Sequence, residues 1–218
     1  MINPRSPAGS PSANAAVLRP LFVRHVHELL YRGYERLSAS AYCTAQEEQI
    51  TGDLKSEIDK VLDERPKRWM IHYFSAEETP VSDGTTKGKR RRKIDIQVTS
   101  SRFAPRARFS FEAKRLGRRH PVSIYLGTAG LGRFLCGDYA SESDEAGMLG
   151  YVQSGSLDDW STRLAADFGS KATELGADSA GIKAQQVIDQ LPNSFWSIHR
   201  RSSLNRMIRI YHTLLLFH

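Results

Sequence analysis

Cysteine is nearly missing from this chain: Cys43 and Cys136 are the two it has. Two thiols cannot build a disulfide framework or a cysteine-rich structural zinc site, and their scarcity fits a reducing cytoplasm. Long apolar runs are missing as well. The longest aliphatic stretch, Leu214-Leu215-Leu216-Phe217, falls far short of the roughly 20 residues that cross a bilayer, so no membrane partner is expected. Residues 1–17 hold Pro, Ser and Ala without an apolar core, which predicts a disordered tail and no signal peptide. Two familiar chemical motifs are near misses. His27-Glu28 begins like a zinc-protease helix, but the residue four after His27 is Tyr31, not His; His25 and His27 therefore read as ordinary residues of a packed or solvated helix. Gly127-Thr128-Ala129-Gly130-Leu131-Gly132 lacks the Lys-Ser/Thr of a phosphate-binding loop and the spacing of a dinucleotide fingerprint, and reads as a turn or helix start. There is no internal repeat.

Positive charge is abundant. Against 24 Asp and Glu stand 31 Lys and Arg, a formal charge of +7, which suits a polyanionic partner. With 218 residues, 40% of them hydrophobic, the chain can bury the core of one domain over 18–218.

Periodicity supplies the elements. Phe22, Val26, Leu29, Leu30 and Leu37 predict a helix over 18–37, part of an N-terminal helical region reaching residue 40. Ile50, Leu54, Ile58 and Leu62 recur every four residues and predict a helix over 45–64, with Glu47, Glu48 and Glu57 as candidate acids. Residues 69–75 are aromatic and apolar enough for a first strand. A helix over 131–139, a short strand over 148–152, a helix over 156–168 capped by Ser156, a helix over 180–190 and a last strand over 206–217 complete the reading.

Two stretches carry the chemistry. Ile94, Ile96 and Val98 alternate with Asp95. Phe109, Phe111 and Ala113 alternate with Ser110, Glu112 and Lys114. Period two means strands, and Glu112 and Lys114, two positions apart, leave the same sheet face. A hairpin of these strands, turned at 100–106, can gather Asp95, Glu112 and Lys114, with their polar side expected away from the core. Basic residues flank them: Lys87, Lys89, Arg90, Arg91, Arg92 and Lys93 lead into the first strand, and Arg115, Arg118 and Arg119 follow the second. Such runs meet phosphates when they border a site for nucleic acid.

At Ile94-Asp95-Ile96 and Phe111-Glu112-Ala113-Lys114, preceded by the acidic helix start Glu47-Glu48, the chain resembles the PD-(D/E)xK nuclease superfamily, over residues 44–116. The proline of the family motif is replaced: Lys93 and Ile94 stand before Asp95. The resemblance implies an α/β, restriction-endonuclease-like αβββαβ core, a mixed central sheet flanked by helices, with an extra N-terminal helix. It implies a metal-dependent DNA endonuclease with Asp95, Glu112 and Glu48 as metal ligands, Lys114 as the charge-stabilising or water-positioning catalytic residue, and Glu47 as the rival to Glu48. The cofactor it implies is Mg²⁺, which Mn²⁺ can replace, and the implied setting is restriction or antiviral defence, as a homodimer or with a partner subunit of a defence system. Two other readings stand beside it: a catalytically inactive nucleic-acid-binding module, and a subunit of a larger defence complex.

Overall fold

A computed structural model describes residues 13–80, 93–103, 106–201 and 203–218. Its strands are β1 (Tyr73–Pro80), β2 (Lys93–Ser100), β3 (Ala107–Leu116), β4 (Glu145–Val152), β5 (Lys183–Ala184), β6 (Ser194–Arg201) and β7 (Arg206–Leu216). Its helices are α1 (Ala13–Glu35), α2 (Glu47–Glu64), α3 (Val122–Leu126), α4 (Gly132–Leu135) and α5 (Leu157–Lys171). The strands form one mixed sheet in the order β1-β2-β3-β4-β7-β6-β5. β1, β2 and β3 run antiparallel in turn; β3, β4 and β7 are parallel neighbours; β6 returns antiparallel to β7. The chain is therefore α/β, with helices on both sides of the sheet.

The two apolar faces of the sheet hold separate cores. On one face Phe109, Phe111 and Ala113 of β3 meet the apolar stripes of α1 (Phe22, Val26, Leu29, Leu30) and α2 (Ile50, Leu54, Ile58). On the other, Leu116, Met148, Val152 and Leu214 pack under α3, α4 and α5. The aromatic pair of β3 reaches across its neighbour only because β4 carries Gly147, where an added Cβ would stand 2.3 Å from the Phe111 ring. α5 starts as its sequence predicts: Ser156 accepts from the Asp159 N–H, and Asp159 accepts in return from that of Ser156.

Four expectations shift. The helix over 18–37 begins at Ala13, so part of the expected tail is helical; residues 1–12 lie outside the described residues. The first strand starts at Tyr73, because Arg68–His72 forms a 3₁₀ turn that buries Met70. The helix expected over 131–139 shortens to Gly132–Leu135 and ends in a turn at Gly137, whose φ is +84°. The helix expected over 180–190 is absent: that stretch holds β5 and turns, with Ile188 buried. The strand Ser194–Arg201 has no counterpart in the sequence reading. No helix among the described residues is long and apolar enough to cross a membrane.

Candidate active site

The hairpin of β2 and β3 opens into a fork. Their paired residues run from Ser100–Ala107 to Ile96–Phe111 and stop there, while β2 continues along β1 to Lys93 and β3 continues along β4 to Leu116. Beyond Phe111, the β3 backbone groups that faced β2 need other partners, since a buried N–H left bare costs about 1–3 kcal/mol. Two acids supply them. Asp95 Oδ2 accepts the Ala113 N–H at 2.7 Å, and Glu47 Oε2 accepts the Arg115 N–H at 3.1 Å.

Lys114 lies in the same gap. Its ammonium donates to Glu47 Oε1 at 2.6 Å and to the Ala113 carbonyl at 2.6 Å, and pairs with Glu112 Oε1 at 2.9 Å. An ammonium has three protons, so all three have acceptors. Glu112 is 4% exposed and Lys114 is 9% exposed, while Asp95 is half-buried. The structure thus brings Asp95, Glu112 and Lys114 together, as the spacing predicts. It places them in a covered recess rather than on a solvated face: β3 is central in the sheet, and both of its sides are packed.

Burial dominates the electrostatics. It pushes the Glu112 carboxyl up to about 8, Asp95 beside it pushes in the same direction, and Lys114 opposes. Asp95 is also raised, again mainly by burial, against the pull of the Ala113 N–H and Lys114. Burial alone would lower Lys114, but Glu112 and Glu47 reverse it and hold the amine firmly charged. Glu112 Oε2 is buried and receives no hydrogen bond from any donor group. The neighbouring acid is Asp95, and its charge adds to burial in raising Glu112.

This donor set fits a hard divalent cation. Two carboxylates meet, and one oxygen lacks any partner that a cation would supply; Mg²⁺ is commonly held by one or two carboxylates with water and phosphate completing its shell. Among the described residues no three His, Cys, Asp or Glu side chains group so as to hold a metal ion.

Glu48 does not join them. It is exposed on α2, whereas Glu47 turns into the fork. Successive helical residues diverge by about 100° in direction, so only one of two adjacent acids can face the strand. Of the basic residues, Lys93, Arg118 and Arg119 are exposed at the two arms of the fork, and Arg115 is half-buried with its guanidinium 3.3 Å from the Ala45 carbonyl. Lys87, Lys89, Arg90, Arg91 and Arg92 lie outside the described residues.

Two residues at the site escape the sequence reading. Tyr139 donates its hydroxyl to the Lys93 carbonyl at 2.6 Å, closing the β2 arm; burial first, then Glu112 and Asp95, push its phenol up to about 12. Gln153, just past β4, donates to the carbonyls of Tyr42 at 2.7 Å and Ala45 at 2.9 Å, fixing the segment that leads into Glu47. Neither sits in a motif, and single polar residues between apolar ones carry no local signal. Compared with known proteins, the chain matches no family model, no curated protein and no solved structure.

Proposed function

We propose that this protein is a Mg²⁺-dependent endonuclease of the PD-(D/E)xK kind that hydrolyses DNA phosphodiester bonds, with Mn²⁺ as a substitute metal. The observation that carries this reading is the bare, buried Glu112 Oε2 beside Asp95, with the Lys114 ammonium 2.9 Å from the other Glu112 oxygen. The order of elements, an acidic helix, three antiparallel strands, a helical crossover and a parallel strand, also supports the αβββαβ core.

Asp95 and Glu112 would hold the cation. Bound there, Mg²⁺ polarises a phosphate and lowers the pKa of an attacking water. The chain's own groups do the rest. Lys114 keeps a fixed positive charge beside the two acids, where negative charge develops on the phosphate during attack. Lys93, Arg118 and Arg119 flank the fork and offer charge to the neighbouring phosphates. A role in restriction or antiviral defence in the cytoplasm, as a homodimer or with a partner subunit, belongs to the same proposal.

Cleavage of supercoiled plasmid, single-stranded DNA and RNA in Mg²⁺ or Mn²⁺ tests it. Wild type cuts at least one; Glu112→Gln and Lys114→Ala lose at least about 100-fold in rate, the size of effect seen when a group acting on transition-state charge is removed. Salt-sensitive binding with no cutting by the wild type would leave a nucleic-acid-binding module instead.

A further inference from the structure

We infer that Glu47 is a positioning residue that holds Lys114 against the scissile phosphate's place and is not itself a ligand of the cation. The inference rests on the nuclease reading and goes beyond it.

Three acids approach the fork, and their oxygens are not equivalent. Glu112 keeps a buried oxygen with no donor. Glu47 has both oxygens committed to fixed donors of one strand: Oε1 to Lys114 Nζ and Oε2 to the Arg115 N–H. Asp95 also accepts a backbone N–H, with Oδ2, but in Glu47 each of the two oxygens meets a donor of β3, so turning toward a cation would break one of these bonds. Lys114, for its part, has no freedom left, because Glu47, Glu112 and the Ala113 carbonyl take its three protons. Of these three, Glu47 is the one that comes from another element, and so the one able to fix where the ammonium stands relative to the rest of the fold.

The protein invests further contacts in the position of Glu47. The segment before α2 is stitched to the ends of β3 and β4. Gln153 donates to the Tyr42 and Ala45 carbonyls, and the Arg115 guanidinium donates to the same Ala45 carbonyl. One turn further along, Thr51 and Tyr151 share a buried hydrogen bond of 3.1 Å between α2 and β4. The helix start is thereby held to the strand that carries the lysine.

The test compares metal binding with turnover. Mn²⁺ binding to the full-length protein without nucleic acid is measured by electron paramagnetic resonance, and cleavage by initial rates, for wild type, Glu47→Gln, Glu47→Asp and Glu112→Gln. Wild type binds Mn²⁺ and cuts. Glu112→Gln loses at least about tenfold in Mn²⁺ affinity, and Glu47→Gln loses clearly less than Glu112→Gln. In Glu47→Gln, kcat falls at least about tenfold while KM for DNA stays within about threefold, because binding by the flanking arginines is untouched. Glu47→Asp, which keeps the charge on a shorter arm, shows the same split in milder form and stands in should the amide variant fail to fold. A loss of Mn²⁺ affinity in Glu47→Gln equal to that in Glu112→Gln overturns the inference and makes Glu47 a ligand. Undiminished kcat in Glu47→Gln overturns it too, since the residue would then hold nothing the reaction needs. If wild type neither binds Mn²⁺ nor cuts any substrate, the nuclease reading itself is lost, an outcome distinct from both.

Discussion

Asp95 stands where β2 stops pairing with β3, and its carboxylate takes the Ala113 N–H that the ladder no longer reaches, at 2.7 Å. One residue thus has two separable duties, a backbone cap and a charge. Asp95→Asn keeps an acceptor for the N–H and removes the charge; Asp95→Ala removes both. Thermal denaturation should show Asp95→Asn close to wild type and Asp95→Ala destabilised by about 1–3 kcal/mol, the cost of a buried N–H left bare. Both should lose metal-dependent cleavage. Full cleavage by Asp95→Asn would remove the carboxylate from the chemistry.

Arg118 and Arg119 lie exposed in the turn after β3, outside the recess. Changing both to Ala should weaken DNA binding without altering the melting temperature. The slope of log affinity against log salt should become shallower by about 0.9 for each phosphate that the protein no longer neutralises. An unchanged slope, measured by fluorescence anisotropy at several salt concentrations, would place the DNA path elsewhere.

Beneath the second core runs a closed chain of polar groups: Tyr125, His212, Ser197 and His199, all buried. The Leu175 carbonyl, 2.8 Å from His199 Nδ1, accepts only, so that nitrogen carries the proton. His199 Nε2 must then accept from Ser197 at 2.7 Å, Ser197 must accept from His212 Nε2 at 2.8 Å, and His212 Nδ1 accepts from Tyr125 at 3.1 Å. The two imidazoles are therefore neutral and of opposite tautomer. Nitrogen-15 NMR of the histidine rings at pH 7 checks this: His199 protonated at Nδ1, His212 at Nε2. Identical tautomers would break the chain as drawn.

Burial lowers His212 to about 3, with His199 beside it pushing in the same direction. An unfolded histidine titrates near 6.5. Above that value both states are neutral and no stability is lost. As pH falls below it the unfolded chain takes up a proton that the native state refuses, so stability falls until about pH 3. Glu112, raised to about 8, acts in the opposite sense over part of this range, so the difference between two proteins is the clean measure. Between pH 7.5 and 5.0, urea denaturation should show wild type losing about 2 kcal/mol more than His212→Gln. Equal losses would mean that His212 is not buried neutral.

Gly147 lets the rings of Phe109 and Phe111 cross β4. Gly147→Ala puts a methyl 2.3 Å from the Phe111 ring, deep in a packed core. Overpacking of this kind costs about 1–3 kcal/mol, and the melting temperature should fall accordingly. An unshifted melting temperature would show that the aromatic pair has room to move.

Local pattern is enough for α2, β2, β3 and α5, because each has an apolar face with a period of two or of about 3.6 residues and, for α5, its own cap; β7 is legible from its run of Ile, Tyr, Thr and Leu. It is not enough for 180–190, where Ile188 is buried in the first core rather than by a helix of its own. Chain chemistry alone also sets the identities that meet in the fork: an acid on one strand, and an acid and an amine two apart on the next. What only the tertiary structure decides is which neighbour completes them. Whether Glu47 or Glu48 faces Lys114 depends on the rotation of α2 about its axis, fixed by Gln153 and Thr51 through bonds that span about 100 residues of sequence. Likewise, period two tells which residues share a face of β3 but not that the face is covered. That depends on β3 lying inside the sheet, a matter of strand order, and strand order is settled by packing over the whole chain.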